Sequence, residues 1–205
     1  MMLISVRPLF VSLIAVWVFT SFVAATPVQI SARSSVTTLA NNFTLAALNN
    51  TLPNANSTGA PLVLGSGGAI DGESFQVTST YASYPLDNFP SLGLVGGNLR
   101  AFLNDGSWHT NASAPLTGDP LGWGTSSYYS SPASTAFSAV SVVTTGFPVL
   151  AVNGISGLWY LCPSDAPVLA QNILYFNTTT VPSHSGVSGA SPVECYSVTV
   201  NMVPL

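Results

Sequence analysis

Lysine is absent from this 205-residue chain, and arginine occurs only as Arg7, Arg33 and Arg100. Charged residues make up 5% of the sequence, against about 25% in an ordinary soluble domain. With a formal net charge of −4, the chain cannot neutralise a run of phosphates, which argues against nucleic-acid partners. Anionic membrane surfaces are disfavoured for the same reason. Long apolar runs are also missing. Outside the N-terminus none approaches the roughly 18 residues of a spanning helix, although the mean hydropathy is +0.47. No window repeats at helical spacing, and 15 prolines and 17 glycines would interrupt one. What remains is short apolar segments set among Ser, Thr, Asn and Gly, which reads as a neutral, hydroxyl-rich surface over a β core.

The N-terminus indicates a compartment. Residues 1–25 read MMLISVRPLFVSLIAVWVFTSFVAA. Arg7 supplies the positive end, residues 9–19 the apolar core, and Val23-Ala24-Ala25 a small-residue cleavage site, the pattern of a secretory signal peptide. An uncleaved signal anchor is the alternative. Five N-x-[ST] acceptors accord with secretion, at Asn42, Asn49, Asn56, Asn111 and Asn177. Glycans there would supply the solubility that charges do not. The C-terminal residues CYSVTVNMVPL lack the spacer and tail of a lipid-anchor signal. No membrane association is expected after cleavage, and the protein is expected outside the cell.

Residues 26–41 are polar and without period, and read as a flexible arm or propeptide. A single domain is expected over 43–205. Apolar strands are predicted at 43–46, 62–64, 69–70, 75–78, 92–95, 99–102, 137–143, 149–152, 158–161, 173–176 and 195–203, with another beginning at Trp108. Gly96-Gly97 suits a tight hairpin. Residues 65–68 (GSGG) read as a turn, and residues 111–134 as a long loop punctuated by aromatics. The stretch 157–177, GLWYLCPSDAPVLAQNILYFN, is the expected centre, with two strands buried on both faces. The fold class is therefore all-β, an antiparallel sandwich or barrel of many short strands, with a β-trefoil as the alternative.

Two cysteines in a secreted chain allow one intramolecular pairing, Cys162–Cys195. A redox or nucleophilic thiol would need a CxxC or a basic neighbour, and neither is present. Of the carboxylates, Asp105 (NDG), Asp119 (GDP) and Asp165 lie in turn sequences, while Asp87 and Glu194 stand alone. Asp71 and Glu73 in IDGE are the close pair a glycosidase would need, yet Gly72 between them favours a turn. His109 and His184 lack a nucleophile motif, and no G-x-S-x-G is present. Neither a catalytic residue nor a metal or other cofactor is expected. Among the aromatics, Trp159 and Tyr160 read as core. Trp123, Tyr128 and Tyr129, in a Gly/Ser-rich stretch, are the candidates for stacking on a sugar or a partner, with simple packing as the competing reading.

The order of several motifs resembles that of the fungal phialide-associated cell wall proteins and their IgE-binding relatives. The shared features are a signal peptide, FTLAALN, a PLVLG strand, LVGGNLRAF, GLWYLCP, NILYFN and CYSV. An additional early cysteine and a Trp-Gln pair common in that family are absent here. The resemblance implies a secreted or wall-associated fungal protein without an established catalytic site, and it carries over no functional residue beyond the disulfide. The expected function is accordingly a structural or interaction role, with wall polysaccharide or other wall proteins as partners. A carbohydrate-binding, lectin-like module is the alternative.

Overall fold

The computed structural model describes residues 34–128, 133–142, 146–164, 170–181 and 192–205. The expected signal peptide, Tyr129, Asp165 and His184 lie outside these residues. All the regular structure described is strand: β1 (Ser35–Val36), β2 (Phe43–Asn49), β3 (Ala60–Ile70), β4 (Glu73–Thr80), β5 (Ser91–Val95), β6 (Asn98–Phe102), β7 (Trp108–Ala112), β8 (Gly122–Ser126), β9 (Phe137–Ser141), β10 (Pro148–Val152), β11 (Trp159–Pro163), β12 (Asn172–Phe176), β13 (Thr180–Val181), β14 (Val193–Glu194) and β15 (Tyr196–Pro204).

Nine of these strands close an antiparallel barrel, in the order β2, β5, β6, β7, β8, β4, β12, β11, β15 and back to β2. Of the arrangements expected from the sequence, the barrel is the one formed. β3 pairs with both β2 and β4, giving those two a second connection. β15 is the hub. One edge pairs with β2 from Val198↔Asn49 to Pro204↔Phe43; the other pairs with β11 and, at Asn201, with β10. β10 carries β9, and β9 carries β1. Within 26–41, expected as a flexible arm or propeptide, residues 35–39 are tied to the sheet. Leu39 N donates to Leu94 O, Gly97 N to Thr37 O, and Leu39 packs on the core.

Alternation produces the interior. Val198, Val200 and Met202 point inward from β15, while Ser197 and Thr199 are half-buried on the other face. Asn201 shares that second face yet is fully buried, and its Nδ2 donates to Thr58 O in the loop after β2. Trp159 fills the centre. Its Nε1 donates to Leu150 O at 2.9 Å, and its ring meets Phe176 edge-on at 5.1 Å between centroids. The pairing of β11 with β12 is as expected, from Trp159↔Phe176 to Pro163↔Asn172. Burial on both faces is not. Tyr160, Ile173 and Tyr175 are only half-buried, so the two strands carry one core face.

Two turns match their residues. Gly96 and Gly97, at φ of 58° and 78°, make the two-residue connection between β5 and β6, a conformation that suits glycine and type I′ hairpins. Asp71-Gly72 turns β3 into β4, with Ile70 opposite Glu73. The expected turn at 65–68 is instead strand: these residues lie inside β3, with a register shift between Ser66 and Gly68. Gly65 and Gly67 make room for Gln171 and for the backbone at Phe75 rather than for a reversal. The expected loop 111–134 contains β8, whose sequence GWGTS carries one apolar residue and so shows no strand period.

Candidate functional site

Trp123 does not serve as a stacking platform, because it is 2% exposed and belongs to the core. Its Nε1 donates to Thr78 Oγ1 at 2.9 Å, the partner a buried indole requires. The packing reading holds at this position. Tyr128, by contrast, is 67% exposed. Cys162 and Cys195 form the expected disulfide, with Cys162 buried.

The carboxylates occupy the turns their sequences indicated. Asp105 Oδ1 accepts from Ser107 N at 2.8 Å and Ser107 Oγ at 2.6 Å, and these bonds hold its carboxyl below the ordinary value of 3.8. Asp119 Oδ2 accepts from Leu116 N. Asp71 is in the β3–β4 turn and Glu73 opens β4. His109 is exposed and packs beside Phe89, with ring centroids 5.3 Å apart. Burial pushes the phenols of Tyr175 and Tyr196 up.

The sequons differ in setting. Asn49 Oδ1 accepts from Thr51 N, Thr51 Oγ1 and Leu52 N. Asn56 Oδ1 accepts in the same way from Thr58 N, Thr58 Oγ1 and Gly59 N. In both, the asparagine closes a turn on the hydroxyl of its own sequon. Asn42 and Asn177 are exposed, and Asn177 Nδ2 donates to Thr117 Oγ1. Asn111 sits inside β7, paired on both edges with Arg100 and Gly124.

That last position belongs to a surface the sequence did not reveal. Gly93, Arg100, Asn111, Gly124, Phe75 and Gly68 are successive register partners across β5, β6, β7, β8, β4 and β3. They form one row on the outer face of the barrel. Aromatic rings lie over the glycines. Phe75 Cδ1 is 3.6 Å from the position a Gly124 Cβ would take, and Phe102 Cε2 is 2.9 Å from that of Gly93. The Tyr128 ring fills the corresponding space at Gly72. Each ring therefore rests on backbone and turns an edge or face to solvent, and Phe75 is 39% exposed. Beside Tyr128 a shallow depression is lined by Ile70, Glu73, Ser74, Thr125, Ser126 and Ser127. On the other side of the row the Arg100 guanidinium carbon lies 4.7 Å from the Trp108 ring centroid, a cation–π contact. Trp108 remains 54% exposed. Rings with wet hydroxyls and one carboxylate beside them can stack on the C–H faces of sugars and bond their hydroxyls.

Only the register exposes this grouping. Phe75, Trp108 and Tyr128 are far apart in the chain, and no spacing rule joins them. No protein-family model, curated protein or solved structure matches the chain.

Proposed function

We propose that this is an extracellular, N-glycosylated β-barrel of a fungal cell wall or its surroundings, with a structural or interaction role rather than a catalytic one. The Cys162–Cys195 disulfide carries the reading. Disulfides form and persist in oxidising compartments and are rare where thiols are kept reduced. The signal-like N-terminus, the five sequons and the motif resemblance point the same way. The near absence of charge in the chain fits a molecule lying among neutral, hydroxyl-rich polymers. The test is expression of the full chain in a eukaryotic secretory host, followed by fractionation into medium, wall and cell lysate. Recovery in the medium or wall is expected, and retention in the lysate as a reduced, unglycosylated protein would contradict it.

A carbohydrate-binding role is the second reading, favoured by the exposed Tyr128 ring beside the hydroxyl-lined depression and by the exposed Phe75 ring on the outer row. Pull-down on insoluble glucan, chitin and mannan tests it. Saturable binding lost in Tyr128→Ala and Phe75→Ala supports it, and equal recovery of both variants contradicts it.

A further inference from the structure

Trp108 and Asn111 are three residues apart, a spacing that places side chains on opposite faces of a regular strand. Here they share a face. Trp108 is the register partner of Phe102 and Asn111 that of Arg100, so His109 is an extra residue in a β-bulge. The indole is laid along its own strand by the bond from Trp108 Nε1 to Thr110 O at 3.2 Å. Arg100, directly opposite Asn111, covers one part of the ring. Gly124, on the other side of Asn111, presents no side chain, and the ring of Phe75 lies over it. Two polar atoms at the foot of this cluster, Arg100 Nε and Asn111 Oδ1, are buried without a hydrogen-bond partner. A buried polar atom without a protein partner calls for one from water, an ion or a further group.

We propose that Asn111 carries an N-linked glycan whose first N-acetylhexosamine packs against the exposed part of the Trp108 indole. This rests on the extracellular reading above. The occupant follows from the attachment point: Asn111-Ala112-Ser113 is an acceptor sequence lying beside Trp108 on one face. A sugar held at Nδ2 has its apolar C–H face and acetyl methyl within reach of the ring, the chemistry an aromatic face accepts. The donor class is an oligosaccharide joined through C1 to a lipid pyrophosphate. The Nδ2–C1 bond forms, the C1–O bond to phosphate breaks, the lipid pyrophosphate leaves with the electron pair, and one amide proton is released. Because both edges of β7 are paired in the barrel, transfer precedes the docking of β6 and β8 onto it. The bulge thus gives the folded barrel a seat for a sugar already attached.

The experiment uses the full chain secreted from a eukaryotic host. Enzymatic deglycosylation in heavy-oxygen water labels each occupied asparagine, and peptide mapping reads all five sequons. Asn111 is expected to be occupied together with Asn56. The glycosylated protein is expected to melt about 2–4 °C above Ser113→Ala. That gap should shrink by half or more in a Trp108→Ala background and persist in Trp108→Phe, with Asn111→Gln as a second sequon-free variant should Ser113→Ala fold poorly. Occupancy at Asn56 with Asn111 bare overturns this inference and leaves the extracellular reading standing. No occupancy at any sequon overturns both. An occupied Asn111 whose melting gap is unchanged without Trp108 overturns the ring contact.

Discussion

Gln171 Oε1 stands where Gly65 would carry its Cβ, and from that position it accepts a hydrogen bond from Ser79 Oγ at 2.8 Å. The same side chain donates through Nε2 to Ser66 O at 3.0 Å. Gln171 is buried, so β3, β4 and the residue preceding β12 are held by one amide that bonds through both its oxygen and its nitrogen.

Removing that amide leaves Ser79 Oγ and Ser66 O without their partner in a buried site. Gln171→Ala is expected to destabilise the barrel by about 1–3 kcal/mol, and Gly65→Ala to be at least as damaging because the added methyl displaces the amide. Urea denaturation of both variants checks this. Wild-type midpoints would show that the amide is not a tether.

The disulfide joins the end of β11 to the residue before β15 across a separation of 33 residues. Chain-entropy arguments give about 3–4 kcal/mol for a loop of this length. The Cys162→Ala/Cys195→Ala variant is expected to lose stability on that scale while keeping its far-ultraviolet strand signal. An unchanged urea midpoint would contradict the assignment of the bond as a stabilising tie.

Trp123 tests the difference between a core ring and a ligand platform. Trp123→Ala is expected to cost about 3–5 kcal/mol, and Trp123→Phe less, retaining the packing but abandoning Thr78 Oγ1. Thermal melts of the two should rank in that order. A Trp123→Ala variant of unchanged stability would mean the ring is not part of the core.

Two pH effects have opposite senses. Asp105 is held low by its bonds to Ser107, so its stabilising contribution is complete above 3.8 and lost as pH falls through the depressed folded value. Ser107→Ala should move its titration, followed by carboxyl carbon NMR, back toward 3.8. Tyr175 and Tyr196 are raised from 10.0 by burial. Their contribution is complete below 10.0 and lost as pH rises through the folded values, because the unfolded phenols ionise first. Ultraviolet titration should show these two phenolates forming at higher pH in the folded protein than after unfolding in urea. Ionisation of both phenols at the same pH in the folded and the unfolded protein would contradict the burial.

Much of the fold was legible because local chemistry agreed with it. Gly96-Gly97 and Asp71-Gly72 can serve as tight turns in almost any antiparallel setting, and the alternation of residues 196–203 is preserved in β15. Glycines within strands were misleading. Residues 65–68 have turn composition, but Gly65 is glycine because Gln171 crosses it, a contact between residues more than a hundred positions apart. β8 was hidden for a related reason: Gly124 lies beneath the ring of Phe75, so the position that would have shown alternation holds no side chain. From the sequence alone, Trp123 consequently reads as a loop residue. The outer row of Arg100, Asn111, Gly124 and Phe75 exists only through cross-strand register, and the bulge at His109 inverts the face that simple alternation assigns to Trp108.

The extracellular assignment is tested most directly by the intact mass of the full chain secreted from a eukaryotic host, measured without reduction before and after enzymatic deglycosylation. The expected result is a heterogeneous mass that collapses on deglycosylation to that of a chain lacking residues 1–25 and two hydrogens, with one Asn→Asp change for each glycan removed. A single mass equal to the full 205-residue chain with both thiols free, unmoved by the enzyme, would contradict it.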